Sequence, residues 1–309
     1  MPNLKSREDP LTDDLSSEFL TTKQVASLLH VKERKIYDLA AAGEIPGTRA
    51  LGKWLFDRQA IYAWLDGHNN SGEPRSLSPP PNVVLGSHDP LLEWALRESD
   101  SSLASFLDGS FDGLERFVNG EGVAAGVHIM DAGTGDWNVP EVAKRLSAEP
   151  AVLIEWAWRD RGLIVAEGNP LKIKSVRDLA GKKIATRQDG AGSQILLKQF
   201  LEKHHIGDSD AVFIDPARTE SDAALAVFES VADAAFGLRC IARQFRLDFV
   251  PVIRERFDLI VWRREWFEPP VQRLMAFTRT PEFANRAETL TGYDISGLGT
   301  VHFNCLNTA

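Results

Sequence analysis

Residues 182–204 read KKIATRQDGAGSQILLKQFLEKH. A short apolar run ends in a polar, glycine-rich turn, and an amphipathic stretch begins at Ser193. That is a strand, a loop and a helix in succession. The same alternation runs outward from it across the chain after Val83: VVLGS then PLLEWALRE, GVAAGVHIM, VLIEWAWRDRGLIVA, ADAAFGL, FVPVI and RFDLIVW. Such alternation predicts an α/β domain with mostly parallel strands, a class that binds ligands at the carboxyl ends of its strands.

Before this domain, Phe19 to Leu29 places a threonine cap ahead of a short helix with Val25, Leu28 and Leu29 on one face. A tight turn leads to a second helix, Lys32 to Ala42, with Ile36, Leu39 and Ala40 inward and Gly43 as its stop. A hairpin through Glu44–Phe56 and a third helix, Arg58 to Leu65, complete a winged helix-turn-helix over residues 18–66. Residues 19–65 hold seven Lys and Arg against four Asp and Glu, +3 in a chain of net charge −9, which leaves −12 elsewhere. A small basic module on an acidic body fits a DNA-binding head. Arg34, Lys35 and Asp38 leave the apolar face together, as the groove-facing stripe of a recognition helix does. Lys32 is placed for a phosphate, and Arg49 and Lys53 in the wing for the backbone or the minor groove. Tyr37 reads as packing, and Trp54 as the anchor of the wing. A protein-interaction module of the same shape is the alternative. One head this small buries little surface on DNA, so a homodimer or higher even oligomer on two half-sites of a double-stranded operator is expected.

Residues 1–17 are acidic and aperiodic and read as a disordered tail, while 67–82, ending in Pro79-Pro80-Pro81, reads as a linker. No apolar run approaches the roughly 18–20 residues of a membrane span. Acidic residues near the N-terminus argue against a signal peptide, and two cysteines, Cys240 and Cys305, suit a reducing cytoplasm.

Five loops of the body stand before helices or after strands and nominate ligand contacts. Ser87 and His88 precede a helix that opens with Pro90; Ser110 lies in DGSFDGL; His128 follows an apolar run; Arg187 and Gly190-Ala191-Gly192-Ser193 form the glycine-rich turn; Thr219 and Ser221 open another helix. Hydroxyls and helix N-termini are the neutral donors a dianion needs, and Ser87, Ser110 and Ser193 supply the hydroxyls. Arg187, His88 and His128 suit an anion or an organic carboxylate; His128 reads equally well as a hydrogen-bonded core residue. Asp89 and Asp131 are expected to cap helices or to orient His88 and Arg187. No nucleophile elbow, HExxH or Walker loop occurs, no cofactor or metal site is expected, and an enzyme on this scaffold is the weaker alternative. A recombination accessory protein would suit the head but would leave the body without a purpose.

The words LTTKQVASLL, VKERKIYDLAAAGEIPG and KWLFDRQAIYAWL resemble the excisionase-type branch of winged helix-turn-helix proteins, related to the mercury-resistance regulators. Across 83–304, GSHDPLL, GSFDGL, AAGVHIMD with NVP, RGLIVAEGNP, DLAGKKIATRQDGAGSQ, LDFVPVIRERFDLIV and YDISGLGTVHFN resemble the periplasmic-binding-protein-like domain of bacterial one-component regulators. The resemblance implies a two-lobed (type II) α/β body over 83–305. Lobe one would take 83–165 and 250–305, lobe two 166–249, with a ligand cleft between them. Relatives include molybdate- and tungstate-binding proteins, and RQDGAGSQ looks like the second-lobe loop of oxyanion-binding members, with Ala191-Gly192-Ser193 where Ser-Gly-Thr is common. The implied function is a regulator that senses molybdate or tungstate; an organic effector is the alternative.

Overall fold

The computed structural model describes residues 19–29, 31–50, 52–67, 79–207 and 209–304. The tail, most of the linker and Cys305 lie outside the described residues. The chain divides into two units, 1–76 and 77–309.

In the first unit, β1 (Phe19–Thr21), α1 (Thr22–Leu28), α2 (Glu33–Ala42), β2 (Thr48–Ala50), β3 (Lys53–Asp57) and α3 (Arg58–Gly67) follow in order. Thr21 and Gln24 cap α1 reciprocally: Gln24 N–H donates to Thr21 Oγ1 at 3.3 Å, and Thr21 N–H to Gln24 Oε1 at 2.8 Å. Gly43, at φ 71°, ends α2 in the left-handed conformation glycine tolerates best. Val25, Ile36, Phe56 and Ile61 are fully buried between the helices and a three-stranded sheet of order β1-β3-β2. Trp54 stacks on Phe56 at 6.3 Å and packs against the head's core, anchoring the wing as expected. Tyr37, expected to pack, is instead 47% exposed beside the basic stripe, because Ile36 and Ala40 fill the inner face.

The second unit contains β4 (Val83–Gly86), α4 (Pro90–Glu98), β5 (Ala104–Phe106), α5 (Ser110–Val118), β6 (Ala124–Val127), α6 (Val139–Leu146), β7 (Ala151–Val165), β8 (Lys183–Ala185) and α7 (Gly192–Lys203). It continues with β9 (Val212–Phe213), α8 (Glu220–Phe228), β10 (Ala234–Leu238), α9 (Arg239–Gln244), β11 (Asp248–Trp262), α10 (Pro269–Phe277), α11 (Pro281–Thr289), β12 (Tyr293–Asp294) and β13 (Val301–Asn304). One sheet runs β5-β4-β6-β11-β7-β10-β8-β9 through both lobes. Its flanks are parallel as expected, but its centre is not: β7 and β11, 15 residues each, pair antiparallel from Ala151↔Trp262 to Val165↔Asp248. FVPVI and RFDLIVW are therefore one strand, not two, its register shifted at Pro251/Ile253 and Phe257/Asp258. The chain leaves lobe one along β7 and returns along β11, and both lobes share these strands. Val152, Trp156, Phe257 and Leu259 pack in lobe one, Leu163, Val165 and Phe236 in lobe two.

Candidate functional site

Three glycines set the geometry of the lobe-one wall. A Cβ on Gly113 would lie 2.0 Å from Gly86 Cα, and one on Gly86 2.2 Å from the Gly126 carbonyl. Only glycine lets α5 press this closely onto the ends of β4 and β6. The result is that Ser110 Oγ reaches Ser87 Oγ at 2.7 Å and accepts the His128 N–H at 3.1 Å.

Across from them, Gly192 opens α7 against the His128 ring, where an added Cβ would stand 2.8 Å from Cε1. Between the walls is a cavity of about 20 Å³, lined by Ser87, His88, Leu107, Asp108, Gly109, His128, Arg187, Ala191, Gly192, Ser193 and Glu220. One water needs roughly 10–15 Å³ of such space, so the lobes are closed around little more than a water. The starts of α5 and α7 both border it, which brings helix N-termini from opposite lobes to one point.

Seven nominated residues thus meet: Ser87, His88, His128, Arg187, Ala191, Gly192 and Ser193. Ser110 stands directly behind them through Ser87. Gly190 is exposed outside the cavity, its carbonyl 3.0 Å from where a Gly109 Cβ would sit. Thr219 and Ser221 do not line it. Thr219 is the cap of α8, accepting from Asp222 N–H at 3.0 Å, and the helix phase turns Glu220 rather than Ser221 to the cavity. His88 bonds Glu93 at 2.9 Å, not Asp89. Asp131 caps no helix; it folds its own loop by accepting from Gly133 and Thr134 N–H.

Asp89 does cap α4, accepting from Leu92 N–H at 2.7 Å, but its other contacts reveal a network that sequence reading missed. Asp89 Oδ2 accepts from Arg159 Nη1 at 2.8 Å and Tyr293 Oη at 2.6 Å, and Oδ1 accepts from Trp156 Nε1 at 3.1 Å. Arg159 Nη2 donates in turn to Glu255, and Glu255 Oε2 accepts from Arg161 Nε at 2.7 Å. Arg161 Nη2 lies 2.8 Å from Glu220 Oε1, which carries the chain of charges to the cavity wall. Arg159, Arg161, Asp89 and Glu255 are all 0% exposed. Burial alone would raise the Glu255 carboxyl, but the two guanidiniums hold it well below its ordinary range. Burial also pushes Glu220 upward, and Arg161 and Arg187 bring it below its ordinary value.

His128 Nδ1 stands 3.1 Å from Glu255 Oε2, an ion-pair distance without hydrogen-bond alignment. Burial lowers its pKa, and the attraction of Glu255 does not reverse this. The folded state therefore holds a neutral ring while the unfolded chain binds a proton below about pH 6.5. Its contribution to stability is complete above that pH and is lost on acidification toward the depressed folded value. Asp258, pushed by burial up to about 6, works oppositely, since its folded form gains a proton first. His128→Asn should cancel the His128 contribution alone. Its urea unfolding free energy relative to wild type should rise between about pH 7.5 and 6, by at most about 1.4 kcal/mol per pH unit. A pH-independent difference would disprove the assignment.

Among the described residues no helix is long and apolar enough to cross a membrane. Residues 93–279 match the family model described as PBP superfamily domain, and residues 19–69 match a helix-turn-helix domain. A Bacillus subtilis (strain 168) relative, uncharacterized protein YvgK, is 26% identical over 299 residues, which is 91% of this chain and 96% of that one. A Clostridium pasteurianum protein, described as uncharacterized and lying in the ferredoxin 2Fe-2S gene 5′ region, is 31% identical over 97 residues, covering 30% of this chain and 86% of its own. Among solved structures, the Synechocystis PCC6803 CcmR regulatory domain in complex with 2-PG aligns at 13% identity and TM-score 0.47, over 64% of this chain and 96% of that one. With two lobes on one sheet, a cleft between them and a family model spanning most of both, the chain belongs to the PBP superfamily, behind a helix-turn-helix domain.

Proposed function

We propose that the protein is a ligand-responsive DNA-binding transcriptional regulator, not an enzyme, and that its effector is a small oxyanion, molybdate or tungstate. The observation that carries this reading is the meeting of Ser87 and His128 with Arg187 and Ser193 around a cavity of about 20 Å³. Neutral hydroxyls, two helix starts and one guanidinium are donors for a compact anion. The narrowness favours a five-atom tetrahedron over a bulkier organic molecule, because less opening is needed to admit it. Sulfate carries the same charge, so selection among oxyanions rests on cavity size and donor geometry. The Asp108 and Glu220 carboxylates that also line the cavity favour a second reading, an organic effector that joins an acid to an ammonium group.

Calorimetry with molybdate, tungstate, sulfate and amino acids tests the cleft. Ser87→Ala and Ser193→Ala should each weaken oxyanion binding by about 1–3 kcal/mol and leave the unliganded fold intact. Binding of neither oxyanion, or wild-type binding by both variants, would overturn this, and amino-acid binding would establish the second reading. The effector acts through its higher affinity for the closed lobes, and by linkage operator binding must alter effector affinity equally.

On the head, Lys32, Arg34, Lys35, Asp38, Arg49 and Lys53 are all exposed, which supports their roles on DNA. Arg34→Ala with Lys35→Ala should lower operator affinity by roughly 1–3 kcal/mol for each side chain that reads a base, and should flatten the salt dependence if they meet phosphates. A gel shift of the folded double variant that matches wild type would refute the assignment. Two chains per operator are expected. Leu225, Phe228 and Val231, between 37% and 59% exposed on lobe two, offer apolar surface for that pairing.

A further inference from the structure

Three arginines gather on a groove that the cleft does not use. Arg239 and Arg243 stand one turn apart on α9, and Arg246 follows just beyond its end. With Phe249 and Thr291 they line an open cavity of about 580 Å³. Arg239 lies 5.1 Å over the Phe249 ring and meets Asp160 at 3.3 Å. Asp160 is the sole carboxylate within ion-pair distance of the three among the described residues. Arg243 and Arg246 are exposed, and neither has an acidic partner there.

Arg243 and Arg246, unlike Arg239, do no evident structural work. The carbonyls at the end of α9 are already taken by backbone N–H groups: Phe245 donates to Ile241, Arg246 to Arg243 and Leu247 to Ala242. Like charges one turn apart repel. A chain of net charge −9 has carboxylates to spare, yet only one neutralises this groove.

We propose that the groove binds a small polyanion carrying phosphate groups. Guanidinium forks match phosphate oxygens two at a time, and two unpaired forks beside a third suit adjacent phosphates better than a single carboxylate. Thr291, on the same wall, holds a hydroxyl oxygen that is buried without a hydrogen-bond partner. Through Arg239 and Phe249 the groove also borders β7 and β11, the strands that both lobes share. Asp160 lies between Arg159 and Arg161 on β7, and successive side chains of a strand point to opposite faces. An anion that draws Arg239 from Asp160 therefore acts on the crossover strand from the face opposite the buried network.

The full chain is titrated by calorimetry with pyrophosphate, orthophosphate and a nucleoside triphosphate, as wild type, as Arg243→Ala/Arg246→Ala and as Ser87→Ala. Saturable pyrophosphate binding is expected in wild type and in Ser87→Ala, weakened at least tenfold in the double arginine variant. The nucleoside triphosphate is expected to bind at least as tightly as pyrophosphate through its phosphates, and orthophosphate more weakly than either. Circular dichroism and an unchanged melting temperature confirm that the double variant folds, and Arg243→Lys/Arg246→Lys should recover part of the affinity. No saturable binding, equal binding by the double variant, or loss in Ser87→Ala, which would put the anion in the cleft, each overturns the proposal.

Discussion

Glu255→Gln should unfold in urea with roughly 3–5 kcal/mol less stability than wild type, as breaking a buried ion pair from one side does. The side chain keeps its shape but loses the charge that faces Arg159 Nη2 and Arg161 Nε. Both guanidiniums are 0% exposed, so water cannot solvate the cation left in excess. Three carboxylates, Asp89, Glu255 and Glu220, are set among Arg159, Arg161 and the nearby Arg187, and removing one unbalances the set. Removing Arg161 as well, in Glu255→Gln/Arg161→Gln, should restore part of the loss, and the double-mutant cycle would report the coupling directly. Equal stability of Glu255→Gln and wild type would mean that the network is solvated.

The second large effect sets one added methyl in two places. Gly113→Ala drives a Cβ to 2.0 Å from Gly86 Cα, backbone against backbone within one lobe, and nothing can swing aside. It should cost about 3 kcal/mol of stability or more, at the upper end of overpacking effects. Gly192→Ala drives a Cβ to 2.8 Å from the His128 ring, but these groups belong to opposite lobes and can part. Stability should then stay near wild type, while effector affinity falls at least tenfold, about 1.4 kcal/mol, because closure is obstructed. A Gly192→Ala protein that loses stability as Gly113→Ala does, and keeps its affinity, would show that the lobes do not separate.

The lining of the cleft was largely legible because its polar residues sit where local chemistry marks them. Ser87, Arg187 and Ser193 fall in polar loops between an apolar run and a helix. The same rule failed at α8 by one residue: it selected Thr219 and Ser221, hydroxyls beside a helix start, and passed over Glu220 between them. The buried network was missed for a different reason. Charges in IRERF interrupt the apolar run, which split β11 into FVPVI and RFDLIVW, and those of AWRDRG, inside a run read whole, were assigned no partner. Only the pairing of β7 with β11 places Arg159, Arg161 and Glu255 on one face, and that pairing spans about ninety residues of sequence. The signal was present as charges flanked on both sides by apolar residues, in two segments that each hold two arginines and one carboxylate. Asp89 shows the limit of a local reading, since its cap to Leu92 is three residues away and its salt bridge to Arg159 is 70.

The long return strand also dictates an order of events during synthesis. Lobe two is built from one unbroken stretch between β7 and β11, so it can gather its core as soon as that stretch emerges. Lobe one cannot. Its strand β6 waits for Asp258–Val261 of β11, its partners across the sheet, which leave the ribosome some 130 residues later. Until then the apolar edge of Ala124–Val127 has a β4 neighbour on one side and none on the other, the kind of unprotected edge on which nascent chains stick to one another. Of the two lobes, the one begun first is thus finished last, and its completion is a long-range pairing of the slow kind. A chain that stops short of Asp258 would hold a near-complete second lobe and an open first one, a product for proteases and chaperones.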